Sequence, residues 1–238
     1  MTESEWLTSE DPLALLAFAA DQANTRKYRL FLCACCVRVL AGIPPHHRHL
    51  DDIYSVTWHR LERAMAIVEQ FAEGFVSTDM LAQARQDAEN STHVPKWGSK
   101  DNKLSSEVAA VVTAAVEHPN AADVLEACWR ATNARWTHTD QDEENRRTVE
   151  MQWQATVCRD VFGNPFCPIA FSPEWRTAAT VSCAARMYES RDFSAMPVLA
   201  DALQDAGCKT TVILDHCRNA GSHVRGCWVV DLVLGFEG

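Results

Sequence analysis

Residues 210–234 read TTVILDHCRNAGSHVRGCWVVDLVL, and this stretch decides the predicted fold. Apolar residues recur in it at helical spacing on both sides of a short polar segment that contains Gly221. Glycine readily takes the left-handed backbone conformation that a tight turn between helices often needs. The stretch therefore predicts two helices joined by a turn, with Thr210 capping the first helix and the second helix starting at Ser222.

The rest of the chain shows the same helical pattern. Pro12 stands where the first turn of an early helix is expected, and residues 28–40 are apolar on almost every side, which is typical of a helix at the centre of a core. Ser172 followed by Pro173 predicts the start of a helix that continues to Glu189. Period-two alternation and hairpin turn dipeptides are scarce. We therefore predict an all-α fold, a compact domain of about ten helices.

The predicted organisation is a single helical domain over residues 1–238. It has an N-terminal helical part at 1–89, a variable and elaborated middle at 90–148, and a C-terminal helical part at 149–238. The middle contains the most polar run of the chain, THTDQDEENRR at 137–147, which predicts a solvated loop or a helix start.

Charge and hydropathy exclude several classes of protein. The formal net charge is -10 and no run of Lys or Arg occurs, which argues against binding to nucleic acid or to an anionic membrane. The longest apolar runs, at 30–40 and 227–236, fall short of the roughly 20 residues of a membrane span. The polar, acidic start does not resemble a signal peptide, so we expect a cytoplasmic protein. Its ten cysteines should then be thiols that fill the core, bind metal or act as nucleophiles.

The C-terminal stretch also concentrates side chains that bind metals. On a helix that starts at Ser222, the residues His223, Cys227 and Asp231 share one face, because they are four apart. Imidazole and thiolate are ligands that suit Zn²⁺, and two cysteines three apart on the helix at 28–40 would complete a tetrahedral set. The predicted cofactor is zinc, and the candidate ligands are Cys33, Cys36, His216, Cys217, His223 and Cys227.

Two other interpretations of this cluster stay open. In the first, Cys227 fills the core beside its neighbour, His216 lies favourably at a helix C-terminus, and Asp231 pairs with an arginine of another helix. In the second, Cys217 or Cys227 is a thiol nucleophile, a histidine is its base, and Asp231 orients that histidine. Spacing of a zinc ribbon or zinc finger, a phosphate-binding loop, GxSxG and HExxH are all missing from the sequence.

Three segments occur together in this chain: RLFLCACC at 29–36, RDVFGNPF at 159–166, and HCR at 216–218 with HVRGCWVVD at 223–231. This combination resembles an uncharacterised family of small proteins found in many copies in planctomycete-type bacteria. The resemblance covers roughly residues 1–75 and 150–238. It implies that these segments form a shared frame, and it implies no catalytic residue.

The function that the sequence predicts is a non-enzymatic protein-interaction or regulatory module, stabilised by a structural zinc ion. Its expected partner is another protein, because the chain is acidic and carries no catalytic motif. The alternative is a metal- or thiol-dependent, hydrolase-like enzyme that uses residues 216–231. A closed cluster favours the module and an open one favours the enzyme, because catalytic zinc keeps an open coordination position.

Overall fold

The computed structural model describes residues 1–20, 25–41, 53–91 and 140–236, with the isolated positions Ala110, Leu125, Glu126 and Trp129. Within these residues the backbone forms ten α-helices and no strand, which confirms the predicted all-α fold. In chain order the helices are α1 (Glu3–Thr8), α2 (Pro12–Ala20), α3 (Thr25–Ala41), α4 (Ile53–Ala72), α5 (Thr78–Ser91), α6 (Asp140–Phe162), α7 (Ala178–Ser190), α8 (Met196–Asp205), α9 (Thr211–Arg218) and α10 (Trp228–Leu234).

The chain divides into two compact units. Unit 1 combines residues 1–27 with residues 153–238, and unit 2 consists of residues 28–152. The single domain over 1–238 stays a prediction. So does the variable middle at 90–148, most of which lies outside the described residues. No helix of the described ranges is long and apolar enough to cross a membrane.

Most of α3 lies in unit 2, and its side chains are buried on most sides, as its apolar sequence predicts. Leu30, Phe31 and Leu32 are each at most 1% exposed. The helices α4 and α5 pack against each other and are joined by the short segment 73–77. Arg38, near the end of α3, donates through Nε to Oε2 of the buried Glu150 at 3.0 Å. That ion pair gives the buried carboxylate of α6 a charged partner.

Unit 1 has its core among the last four helices. The helix α7 packs against α8 and α10, and α8 packs against α9. Their shared interior is apolar and thiol-rich, and its fully buried members include Ala184, Leu199, Leu203, Ile213, Cys217, Cys227, Val229 and Val233. On α8, α9 and α10 the pairs Leu199 and Leu203, Ile213 and Cys217, and Val229 and Val233 lie four positions apart, so each of these short helices buries one face in the same core.

The N-terminus of the chain is fixed to the end of α6. A capping box at Thr2 and Glu5 starts α1, and Trp6 on that helix is completely buried. The indole of Trp6 donates to the backbone oxygen of Gly163 at 3.0 Å, and the Arg159 guanidinium donates to the backbone oxygen of Trp6 at 2.9 Å. The sequence did not predict α1, because a helix of six residues with one buried side chain has no detectable periodicity.

Two predicted helix boundaries are wrong. The helix predicted from Ser172 to Glu189 is broken: Pro173–Trp175 forms one 3₁₀ turn, and α7 begins only after Thr177, whose Oγ1 accepts the backbone N–H of Thr180 at 3.3 Å. The last helix begins at Trp228, not at Ser222. Residues 219–227 form a loop instead, in which Gly226 has a φ of 93°.

Candidate metal centre

Asp160, near the end of α6, organises the loop between α9 and α10. Its side chain is 4% exposed, and its Oδ2 accepts the backbone N–H of Val224 at 3.0 Å. Its Oδ1 lies 2.7 Å from Nδ1 of His223 and 3.1 Å from Nε2 of His216. These bonds explain why residues 219–227 are not helical, because the backbone at Val224 and the side chain at His223 both turn towards a carboxylate of another helix.

Cys227 completes the group at the start of α10. Its Sγ lies 3.2 Å from Nε2 of His216. Burial and the charge of Asp160 raise the pKa of Cys227, and hydrogen bonds from the backbone of Val229 and Val230 oppose that rise. The thiol is completely buried. One ligand atom from each of Asp160, His216, His223 and Cys227 lies within 4.8 Å of the others. This buried cluster, which we call the four-ligand group, could hold a metal ion.

Asp160 and the two histidines shift each other's pKa values towards the charged forms of Asp160 and His223. Burial raises the pKa of Asp160, but hydrogen bonds and charge from His216 and His223 outweigh burial and hold that pKa below its usual value. Burial lowers the pKa of His223, yet the hydrogen bond and the charge of Asp160 prevail, and the net pKa of His223 is raised. The group therefore favours a carboxylate beside a protonated imidazole.

The hydrogen bonds assign the proton on His216 when no metal is bound. The indole Nε1 of Trp228 lies 3.2 Å from Nδ1 of His216, and an indole nitrogen can only donate. Nδ1 is therefore the acceptor, and the proton sits on Nε2, where it faces Asp160 and Cys227. The far nitrogen of His223, Nε2, lies 3.4 Å from the backbone oxygen of Asn219. Without metal, the cluster is thus a connected hydrogen-bond network.

Binding of zinc would change the distances between the ligand atoms and the position of one proton. Bonds of ~2.1 Å at tetrahedral angles place neighbouring ligand atoms ~3.4 Å apart. The separations of 2.7, 3.1 and 3.2 Å would therefore lengthen on binding, and any of the remaining separations, which lie within 4.8 Å, that exceed ~3.4 Å would shorten. Val224 and Asn219 already act as outer partners of Asp160 and His223, as metal ligands require. If Nε2 of His216 binds the metal, its proton has to move to Nδ1. Nδ1–H and the indole N–H of Trp228 would then be two donors facing each other, so one of the two rings has to turn.

The structure brings together three of the six predicted ligands, His216, His223 and Cys227. Cys217 is buried in the apolar core of unit 1 and is not a member of the four-ligand group. Cys33 and Cys36 are buried on the part of α3 that belongs to unit 2, so their role as ligands stays a prediction.

Asp160 is the ligand that the sequence analysis missed. It follows Val157 and Cys158 on α6, both completely buried, and it precedes the buried Val161. A single carboxylate inside an apolar helical face is the signal that could have found it, because a buried charge needs a partner.

Asp231 lies outside the four-ligand group, and its contacts confirm the interpretation that it pairs with an arginine of another helix. Arg26 binds it through two hydrogen bonds, from Nη1 to Oδ2 at 2.7 Å and from Nη2 to Oδ1 at 3.1 Å. The ammonium of Lys27 lies 3.5 Å from the same Oδ2. Asp231 is thus the partner of an arginine from another helix.

The two thiols proposed as nucleophiles are poorly suited to that role. Burial raises the pKa of Cys217 to about 12, and burial together with the charge of Asp160 raises the pKa of Cys227 well above its usual value. A thiol nucleophile must be deprotonated and accessible, and both of these side chains are completely buried. Without a metal ion, both remain thiols at neutral pH.

No protein-family model matches this chain, and neither the curated proteins nor the solved structures include a significant match. The resemblance to a planctomycete-type family therefore stays a prediction, and the function has to be argued from the geometry of the site.

Proposed function

We propose that this chain is a non-enzymatic regulatory or protein-interaction module whose C-terminal helices are held together by a structural zinc ion. The ligands are Asp160, His216, His223 and Cys227. The observation that carries the proposal is the closed arrangement of four buried ligand atoms within 4.8 Å of one another. Two imidazoles, one thiolate and one carboxylate are a donor set that zinc accepts in tetrahedral geometry.

The position of the ligands suits a structural ion. They come from the end of α6, the end of α9, the following loop and the residue that precedes α10. One ion would therefore connect the end of α6 to the end of α9, the following loop and the start of α10. The helices α9 and α10 have eight and seven residues, which is too short to be stable alone. Four protein ligands also leave no open position for a substrate.

The backbone N–H groups of Val229 and Val230 would stabilise the thiolate that a metal requires, because their hydrogen bonds lower the pKa of Cys227. That thiolate has to stay reduced, and a cytoplasmic location provides the reducing conditions. For the protein partner, apolar side chains at the surface offer contact area: Phe75 is 73% exposed and Val198 is 59% exposed.

Metal analysis of purified protein tests the proposal. We expect one zinc ion per chain in the wild type and in Cys217→Ala, and less than a tenth of that amount in Cys227→Ala. The two variants remove the same thiol from equally buried positions of one core, so the comparison separates a ligand from a core residue. Equal zinc contents in the two variants, or no zinc in the wild type, would refute the proposal.

Cobalt substitution separates a structural site from a catalytic one. Co²⁺ in a tetrahedral site absorbs visible light, and its spectrum changes when an external ligand binds to an open position. With four protein ligands in place, we expect azide and cyanide to leave the spectrum unchanged. A spectrum that shifts with saturable azide dependence would instead support the metal-dependent enzyme.

A further inference from the structure

Trp228 contacts both the four-ligand group and a cavity of unit 1. Its indole Nε1 donates to Nδ1 of His216 at 3.2 Å, and the centroids of the two rings lie 5.0 Å apart. The same side chain lines a cavity of about 300 Å³ together with Gly163, Ile169 and Phe236. One partly buried aromatic ring is therefore in contact with the candidate metal site and with a space into which it can move.

The metal-free network and a bound metal ion place opposite demands on His216. Its Nε2 lies 3.1 Å from Asp160 and 3.2 Å from Cys227, so this nitrogen faces the other ligands. A metal ion bound there takes the lone pair of Nε2, and the ring, which stays neutral, carries its hydrogen on Nδ1. Because the indole of Trp228 can only donate, the present contact between Nε1 and Nδ1 becomes a contact between two donors.

Trp228, and not His216, is the ring that can turn to remove this conflict. Rotation of the His216 ring about its Cβ–Cγ bond would carry Nε2 away from Asp160 and Cys227, and the ligand would be lost. The indole is not a ligand, and the cavity lies beside it. Gly163 packs against the indole without a side chain, since a Cβ atom there would lie 3.2 Å from Cγ of Trp228. Turning the indole therefore keeps all four ligands in place.

We infer that Trp228 is a metal-dependent switch: zinc binding breaks the hydrogen bond from its indole to His216 and turns the indole into the cavity. That hydrogen bond stabilises the metal-free arrangement and the four ligand bonds stabilise the other, so zinc shifts the population between two positions of one ring. The turned indole occupies part of the cavity, whose wall reaches the surface at Val212, which is 45% exposed. The inference rests on the proposed zinc ion and adds regulation to it, because zinc would then change a surface as well as connect the helices.

Zinc affinity, measured on the full chain by competition with a chelating dye, tests the inference. Trp228→Phe removes the opposing N–H and keeps an aromatic ring. We expect this variant to bind zinc about fivefold more tightly than the wild type, which has to break one hydrogen bond. Trp153→Phe is the matched control, because the indole of Trp153 donates at 3.2 Å to Oγ of Ser222, which lies in the loop but is not a ligand. The control should bind zinc like the wild type, and zinc binding by Trp228→Phe that is equal to or weaker than that of the wild type would overturn the inference.

Nuclear magnetic resonance of the wild-type protein covers the case in which Trp228→Phe fails to fold. Isotope-labelled tryptophan gives a separate indole N–H signal for each of the eight tryptophans. When zinc is added to chelator-treated protein, we expect the indole proton of Trp228 to move upfield and to exchange faster with solvent, because it loses its acceptor. The indole signal of Trp153 should keep its exchange rate. An unchanged Trp228 signal in protein that binds one zinc ion per chain would overturn the switch and leave the zinc centre intact, whereas protein that binds no zinc would overturn both.

Discussion

Replacement of Asp160 by asparagine should destabilise unit 1 strongly, even in the absence of metal. The amide keeps the size of the carboxylate but has one acceptor atom instead of two. If the amide oxygen faces His216 and His223, the NH₂ group faces the backbone N–H of Val224, and two donors oppose each other. In the opposite orientation the NH₂ group faces the imidazoles, and the hydrogen bonds to both histidines are lost. Loss of one partner of a buried ion pair costs about 3–5 kcal/mol.

The assay is urea unfolding in the presence of a chelator, so that only the hydrogen-bond network is measured. Asp201→Asn is the matched control, because Asp201 also forms an ion pair, with Arg218 at 3.1 Å, but its side chain is 74% exposed. An exposed pair contributes about 0–1 kcal/mol. If Asp160→Asn and Asp201→Asn lower the free energy of unfolding by the same amount, the assignment of Asp160 as the centre of the network is wrong.

The difference in the free energy of unfolding between the wild type and Asp160→Asn should depend on pH. The lowered pKa of Asp160 contributes stability that is fully present above the unfolded pKa of about 4 and is lost as the pH falls through the folded pKa. The raised pKa of His223 contributes stability that is fully present below the unfolded pKa of about 6.5 and is lost as the pH rises through the folded pKa. The difference between wild type and Asp160→Asn should therefore be largest between about pH 4 and pH 6.5.

Two further predictions concern Gly163 and the buried thiols. Gly163→Ala should lower the free energy of unfolding by about 2–4 kcal/mol, because Gly163 combines a left-handed φ of 69° with a close contact to Trp228. Gly235→Ala, at a φ of 77° with only ordinary contacts, should lower it by about 1–2 kcal/mol in the same chemical unfolding assay. Equal losses in the two variants would contradict the close approach of Gly163 to Trp228. Burial raises the pKa values of Cys158 and Cys217 to about 12, so the unfolded chain releases these protons first and stability should fall above about pH 9. Cys217→Ala should reduce that slope by up to about 1.4 kcal/mol per pH unit, and an unchanged slope would mean that this thiol is accessible in the folded protein.

Much of the fold could be predicted from the sequence because helical periodicity is a local signal. The helix predicted at 28–40 lies within α3, which ends at Ala41, because an apolar helical pattern can be detected without knowledge of the tertiary structure. The last helix is different. Residues 222–227 have a helical pattern, but Asp160, more than sixty positions earlier, binds the backbone of Val224 and keeps this segment in a loop.

The candidate site could be predicted only in part for the same reason. His216, His223 and Cys227 are close in sequence, and that proximity was sufficient to identify them as candidate ligands. Asp160 could have been identified as a buried carboxylate, but no local pattern shows that His216, His223 and Cys227 are its partners, because the packing of α6 brings them together. The pairing of Asp231 with an arginine was expected from the cost of a buried charge, but its identity, Arg26, depends on the tertiary structure.

The central claim is that one zinc ion is bound by Asp160, His216, His223 and Cys227, and X-ray absorption at the zinc edge tests it most directly. The four-ligand group predicts a first coordination shell with one sulfur at ~2.3 Å and three nitrogen or oxygen atoms at ~2.0–2.1 Å. A shell with two or more sulfur atoms would show that other cysteines are ligands, and a purified protein without zinc would contradict the account altogether.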